Sequence, residues 1–179
     1  EATPAAPGTR RFIPSLWPDP TTINDGIRSD LAEFEGVKFK EEQDFVGQTV
    51  ERKFVTAIAD VMLRRMEEDD SIVVMGEDIH KLNGGPRGAT KGLKDAFPDR
   101  VLGTPISEAA FTGLAGGIAL DGRYTPVVEL MYADFIWVAA DQIFNQIGKA
   151  RHMFGGQHDM ALVMRVKIGT RTGYGSQHS

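Results

Sequence analysis

The chain has no cysteine, which rules out a disulfide framework and any thiolate metal site. Basic charge is also in short supply. The formal net charge is −5 with both signs interspersed, so neither nucleic acid nor an anionic membrane is offered a basic face. No apolar run reaches the roughly 18 residues that a bilayer-spanning helix needs. What remains is 179 residues, 41% of them hydrophobic, enough for one compact domain of about 130 residues with a real core, plus an extension. Because the sequence opens at Glu1 without a methionine and stops at Ser179 inside a polar loop, it reads as a piece of something longer.

Most of the prolines stand early. Pro4, Pro7, Pro14, Pro18 and Pro20 share residues 1–48 with mixed charges and no sustained hydrophobic period, the composition of an extended arm or linker. Residues 49–179 then behave as a domain. Val50, Phe54, Ile58, Val61 and Met62 fall near one face of an expected amphipathic helix that would cover one side of a sheet. SIVVM (residues 71–75) reads as a buried strand and leads into Gly76-Glu77-Asp78 at its carboxyl end. Gly84, Gly85, Pro86 and Gly88 form a loop before an expected helix over residues 90–97. A glycine loop feeding a helix is able to cradle phosphate, but this one lacks the spacing of a P-loop or a dinucleotide fingerprint.

Residues 101–103 make a second strand, and residues 104–122 hold the stretch around which the rest is arranged. Pro105 keeps Thr104 out of the helical region and Ser107 is placed to cap a helix, so Glu108 falls in its first turn. Gly113, Gly116 and Gly117 follow, each costing about 1 kcal/mol against alanine. Either close packing against a neighbouring element or a cofactor edge at Glu108 accounts for so bare a helix. TPVVEL (residues 125–130) is a third strand carrying an unusual Glu129, and MALVMRV (residues 160–166) is a fourth. Between them Asp134 reads as the N-cap of one long helix, with Ile136, Ala140, Ile143 and Ile147 at helical spacing and Gly155 as its stop. Alternating strands and helices with short connections imply an α/β fold: a doubly wound parallel sheet with helices on both faces. Ligands in such sheets sit at the strands' carboxyl ends, where Glu77, Glu108, the turn at residues 131–135 and the His178 loop converge.

Four motifs carry a resemblance. MGEDI (residues 75–79), TPISEAAFTGLAGGIAL (residues 104–120), VVELMYADFIWVAADQI (residues 127–143) and GSQHS (residues 175–179) together resemble the beta half of the thiamine diphosphate-dependent 2-oxoacid dehydrogenases. That half shares its pyrimidine-binding domain with transketolase. The resemblance runs from about Lys53 to the end and implies the thiamine diphosphate-binding fold. It identifies Glu108 as the carboxyl that meets the aminopyrimidine ring nitrogen, and Phe135 as the aromatic that stacks on the pyrimidine. The bland reading of Phe135 is the first core residue of its helix. His178 matches the histidine of the QHS motif near the reacting carbon; a histidine in a glycine loop is otherwise a solvated residue. Glu77 either bonds within the cofactor pocket or caps a loop, and Glu129 has the same two readings. The catalytic pair is then Glu108 and His178, and the cofactor contacts are Glu108, Phe135 and Glu77. His80, His152 and His158 show no metal-ligand pattern, and no residue is assigned to a metal.

The family holds magnesium and the diphosphate on a GDG motif, and here Asp25-Gly26 and Asp121-Gly122 lack the preceding glycine. The resemblance therefore implies that magnesium belongs to an alpha-like half, either a separate subunit or fused upstream through the proline-rich arm. It implies a chain inactive alone and working as a homodimer or heterotetramer. The expected activity is decarboxylation of pyruvate or a branched-chain 2-oxoacid, with the acyl group passed to the lipoyl carrier of an acyltransferase component. The PISE and QHS sequences favour this branch over a transketolase or deoxyxylulose-phosphate synthase relative. A non-catalytic assembly module of the same fold is the reading from another class. The expected location is the cytoplasm, or the mitochondrial matrix in a eukaryote.

Overall fold

The computed structural model describes residues 35–36, 41–47, 50–85, 87–169 and 175–178. The arm expected over residues 1–48 lies largely outside the described residues, as do Pro86 and residues 170–174; one 3-10 turn, Glu42–Asp44, falls within the arm. The domain runs α1 (Phe54–Glu68), β1 (Ile72–Glu77), α2 (Leu93–Ala96), β2 (Val101–Thr104), α3 (Glu108–Asp121), β3 (Thr125–Leu130), α4 (Gly148–Met153) and β4 (Val163–Val166). The four strands are parallel in the order β2-β1-β3-β4. The chain moves outward from β1 to β2 and then returns across β1 to β3, the reversal that opens a crevice at the carboxyl edge.

Strand β1 is apolar on both faces because both are covered. On one face Val74, Val101 and Val127 pack with Ile79, Leu93 and Met66, beneath α1 and α2. On the other, Val73, Met75, Val128 and Leu130 pack with Phe111 and Ala115 of α3. Glu77 shares the parity of Val73 and Met75, so period-two alternation turns it toward the α3 face.

Four local expectations are corrected. The buried face of α1 is Ala59, Met62, Leu63 and Met66, while Phe54 and Val61 stand exposed; Arg100 fixes this rotation by donating to the Met66 carbonyl (2.8 Å) and the Asp69 carbonyl (3.0 Å) at the helix end. The expected helix over residues 90–97 shrinks to α2, because Gly92 in the left-handed region (φ 82°) precedes it and Thr90 turns its hydroxyl to the Ile79 carbonyl at 2.7 Å. The long helix after β3 is divided into a 3-10 turn (Ala133–Ile136), a π-helical segment (Asp141–Ile147) and α4. Tyr132, not Asp134, occupies the cap of the first piece. Wider π turns change the phase of the side chains, so that Ile143 joins the sheet core while Ile147 meets Gly116 of α3. Gly155 and Gly156 close α4 in the left-handed region, at φ 64° and 77°, as a C-terminal stop requires.

Candidate active site

Glu108 is the first residue of α3 and is 6% exposed. Ser107 stands at the N-cap as expected, but its hydroxyl donates to the Pro105 carbonyl at 3.2 Å and makes no side-chain cap. Several of the helix's first amides are left to other acceptors. Glu77 ends β1 opposite Thr104 in the β1–β2 register. Burial pushes its carboxyl above the ordinary range, and the charges of Glu108 and then Asp78 push it further. Two carboxyls contributed by different elements thus lie within electrostatic reach of one another at the sheet's carboxyl edge. Two buried hydroxyls lie nearby in the fold: Thr104 Oγ1, at the end of β2, and Thr112 Oγ1, one helical turn after Glu108, have no hydrogen-bond partner among the described residues.

The glycines of α3 answer to packing. A Cβ on Gly113 would stand 2.9 Å from Gln142 Oε1 and one on Gly116 2.8 Å from Ile147 Cγ1, while one on Gly117 would meet nothing within 4 Å. The close-packing account therefore holds for two of the three, and the neighbour is the π-helical segment of the same chain.

An aromatic cluster forms at the ends of β3 and β4. The rings of Phe135 and His178 meet edge to face at 5.3 Å, and those of Tyr132 and His178 at 5.0 Å. Tyr132 and Phe135 are themselves edge to face at 6.3 Å. Phe135 is half-buried within the 3-10 turn, and the His178 amide donates to the Gly175 carbonyl at 3.1 Å. The structure thus brings Glu77 to Glu108 and Phe135 to His178. Tyr132 is buried and touches both rings of the second pair. The proximity of Tyr132 to Phe135, one 3-10 turn away, is the signal that sequence offered for it.

Glu129 is engaged elsewhere: it pairs with Arg165, its register partner on β4. Gly84 and Gly85 of the glycine loop also have packing roles, against the Lys91 backbone and over Glu129. His80 lies against Gly103, and His158 meets Phe154 edge to face at 5.9 Å. Among the described residues no group of three or more His, Cys, Asp or Glu is arranged to hold a metal ion. None of their helices is long and apolar enough to cross a membrane.

A buried carboxyl at a helix start, a second carboxyl held above its ordinary range, orphaned hydroxyls and a half-exposed aromatic ring are a donor set that fits an aminopyrimidine. Residues 51–179 match the family model described as the transketolase pyrimidine-binding domain. The acetoin:2,6-dichlorophenolindophenol oxidoreductase subunit beta of Cupriavidus necator is 41% identical over 132 residues, 69% of this chain and 39% of that protein. The mitochondrial pyruvate dehydrogenase E1 component subunit beta-1 of Oryza sativa is 40% identical over 124 residues, 69% of this chain and 33% of that protein. The corresponding subunit of Saccharomyces cerevisiae is 39% identical with the same coverage, 69% and 33%. The chain thus spans between a third and two-fifths of the length of these relatives.

Proposed function

The chain belongs to the transketolase pyrimidine-binding domain family, in the form found in the beta subunits of thiamine diphosphate-dependent 2-oxoacid dehydrogenases, and from that premise we propose that residues 49–179 supply the pyrimidine half of such an active site. The observation that carries the reading is the burial of Glu108 at the first turn of α3, within electrostatic reach of Glu77. In this reading Glu108 holds a proton at the aminopyrimidine ring nitrogen. Glu77 lines the same wall and keeps its own proton closer to neutral pH than a free glutamate does. Phe135 gives the pyrimidine an aromatic face, and His178, set by Phe135 and Tyr132, orients the substrate or moves a proton beside it. Bound thiamine diphosphate supplies the carbon nucleophile that decarboxylates a 2-oxoacid.

The remaining assignments belong to the same proposal. Magnesium and the diphosphate are held by an alpha-like half, joined upstream through residues 1–48 or carried on a separate subunit. The acyl group passes to a lipoyl carrier, the assembly is a homodimer or heterotetramer, and the chain by itself does not turn over. The compartment is the cytoplasm, or the mitochondrial matrix in a eukaryote.

The test is reduction of 2,6-dichlorophenolindophenol by the protein with its alpha-like half, thiamine diphosphate and magnesium. Pyruvate, branched-chain 2-oxoacids and acetoin are run side by side for the wild type and Glu108→Gln. A folded variant that loses at least a hundredfold in kcat supports the assignment. Equal activity removes Glu108 from the chemistry, and no reaction with any of these substrates removes the dehydrogenase reading.

A further inference from the structure

The pair that joins β3 to β4 leaves donors over. Arg165 gives Nη2 to Glu129, and both side chains are largely buried, at 17% and 12% exposure. Its Nε and Nη1 are also buried and have no hydrogen-bond partner among the described residues. A guanidinium remains charged at any ordinary pH and carries five N–H donors and no acceptor. One carboxylate does not satisfy it. Two residues further on, the half-buried Lys167 places its Nζ 4.1 Å from the centroid of the Tyr132 ring. Its backbone carbonyl accepts from the Ala133 amide at 2.9 Å, which holds the segment against the turn after β3.

Burial lowers the affinity of Lys167 for its proton, and the charge of Arg87, from the glycine loop, lowers it again; Tyr132 and Glu129 act in the opposite direction. Two partly desolvated cations, Arg165 and Lys167, stand two residues apart beside a single buried carboxylate, and buried N–H groups of Arg165 go unanswered among the described residues. Each unanswered group is costly to keep buried, and an arriving oxyanion would relieve that cost while offsetting the excess charge.

We propose that Arg165 and Lys167 form a subsite for an oxyanion at the carboxyl edge of β3 and β4. A carboxylate and a phosphate group present the same chemistry to it. Tyr132 links this subsite to the cluster of Phe135 and His178, since its ring carries Lys167 and touches both of them. The subsite uses none of Glu77, Glu108, Phe135 or His178, so it stands or falls apart from the cofactor assignment.

Calorimetric titration of the full chain with inorganic phosphate and, separately, with pyruvate tests the proposal, at fixed ionic strength and without thiamine diphosphate. At least one anion binds, and Lys167→Gln weakens it tenfold or more while the urea midpoint stays unchanged. Arg165→Lys, which keeps a charge but loses the guanidinium donors, weakens it as well. Binding of phosphate alone identifies a phosphate-group subsite, binding of pyruvate alone a substrate-carboxylate subsite, and binding of both a general oxyanion subsite. Binding of neither overturns the proposal. So does binding that Lys167→Gln leaves intact, and because Lys167 does not bridge β3 and β4, that variant remains informative even if Arg165→Lys fails to fold.

Discussion

Alanine at the three glycines of α3 is expected to give three different stabilities, although helix propensity alone predicts the same gain of about 1 kcal/mol for each. Gly117 faces open space, so Gly117→Ala realises that gain, about 0.5–1 kcal/mol. At Gly113 the new methyl would approach Gln142 Oε1 at 2.9 Å. That atom is the free end of a side chain whose amide bonds only to the exposed Asp141, at 3.3 Å. It turns aside, leaving Gly113→Ala within about 0.5 kcal/mol of wild type. At Gly116 the methyl would stand 2.8 Å from Cγ1 and 3.2 Å from Cδ1 of Ile147. Cγ1 lies near the stem of its side chain and moves only if the π-helical segment moves. Overpacking of this kind costs about 1–3 kcal/mol, so the net effect is a loss of up to about 2 kcal/mol, and Gly116→Ala and Gly117→Ala should differ by about 1–3 kcal/mol. Urea unfolding of the three variants reads the order directly from their midpoints at constant slope. If Gly116→Ala is as stabilising as Gly117→Ala, the contact between α3 and the π-helical segment is not the reason for glycine at that position.

Arg100→Ala removes the two donors that close the end of α1 and the cation over the Phe97 ring at 4.3 Å; a loss of about 2–3 kcal/mol is expected in the same urea assay. Glu77 is held above its ordinary range, so the folded state binds more protons than the unfolded one, and stability falls as pH rises from the unfolded value near 4.5 through the higher folded value. Glu77→Gln should flatten that decline when thermal midpoints are measured across pH, and an unchanged pH profile would show that Glu77 is not desolvated. Under the proposed function, Phe135→Leu keeps an apolar side chain but loses the ring. Thiamine diphosphate should then bind about two- to tenfold more weakly in fluorescence titration, and unchanged binding would return Phe135 to a packing role.

Much of the fold was legible because it depends on short-range pattern. The β-branched run of β1, the Pro105-Ile106-Ser107 lead into α3 and the alternation of strands with helices each declare themselves within a few residues, and a parallel sheet follows from their order. Glu108, Phe135 and His178 were singled out by motif rather than by periodicity, since no composition rule distinguishes a buried carboxyl at a binding site from a capping one. The face that α1 buries was misplaced by sequence because Phe54 and Val61 are as apolar as Met62 and Met66. The faces are distinguished by the packing of Met62, Leu63 and Met66 on the sheet core and by the bond from Arg100, 34 residues beyond Met66.

The same distinction runs through the candidate site. Sequence alone determined that an acidic residue opens a glycine-rich helix and that another ends the first strand, because both facts are local. Tertiary structure alone decided that Glu108 raises the cost of ionising Glu77, that Ile147 needs the space at Gly116, and that Glu129 is committed to Arg165. The last pair is 36 residues apart in the chain and adjacent only through the β3–β4 register. Charge interaction, packing and hydrogen bonding depend on distance in space, and the chain fixes that distance only when the sheet has formed.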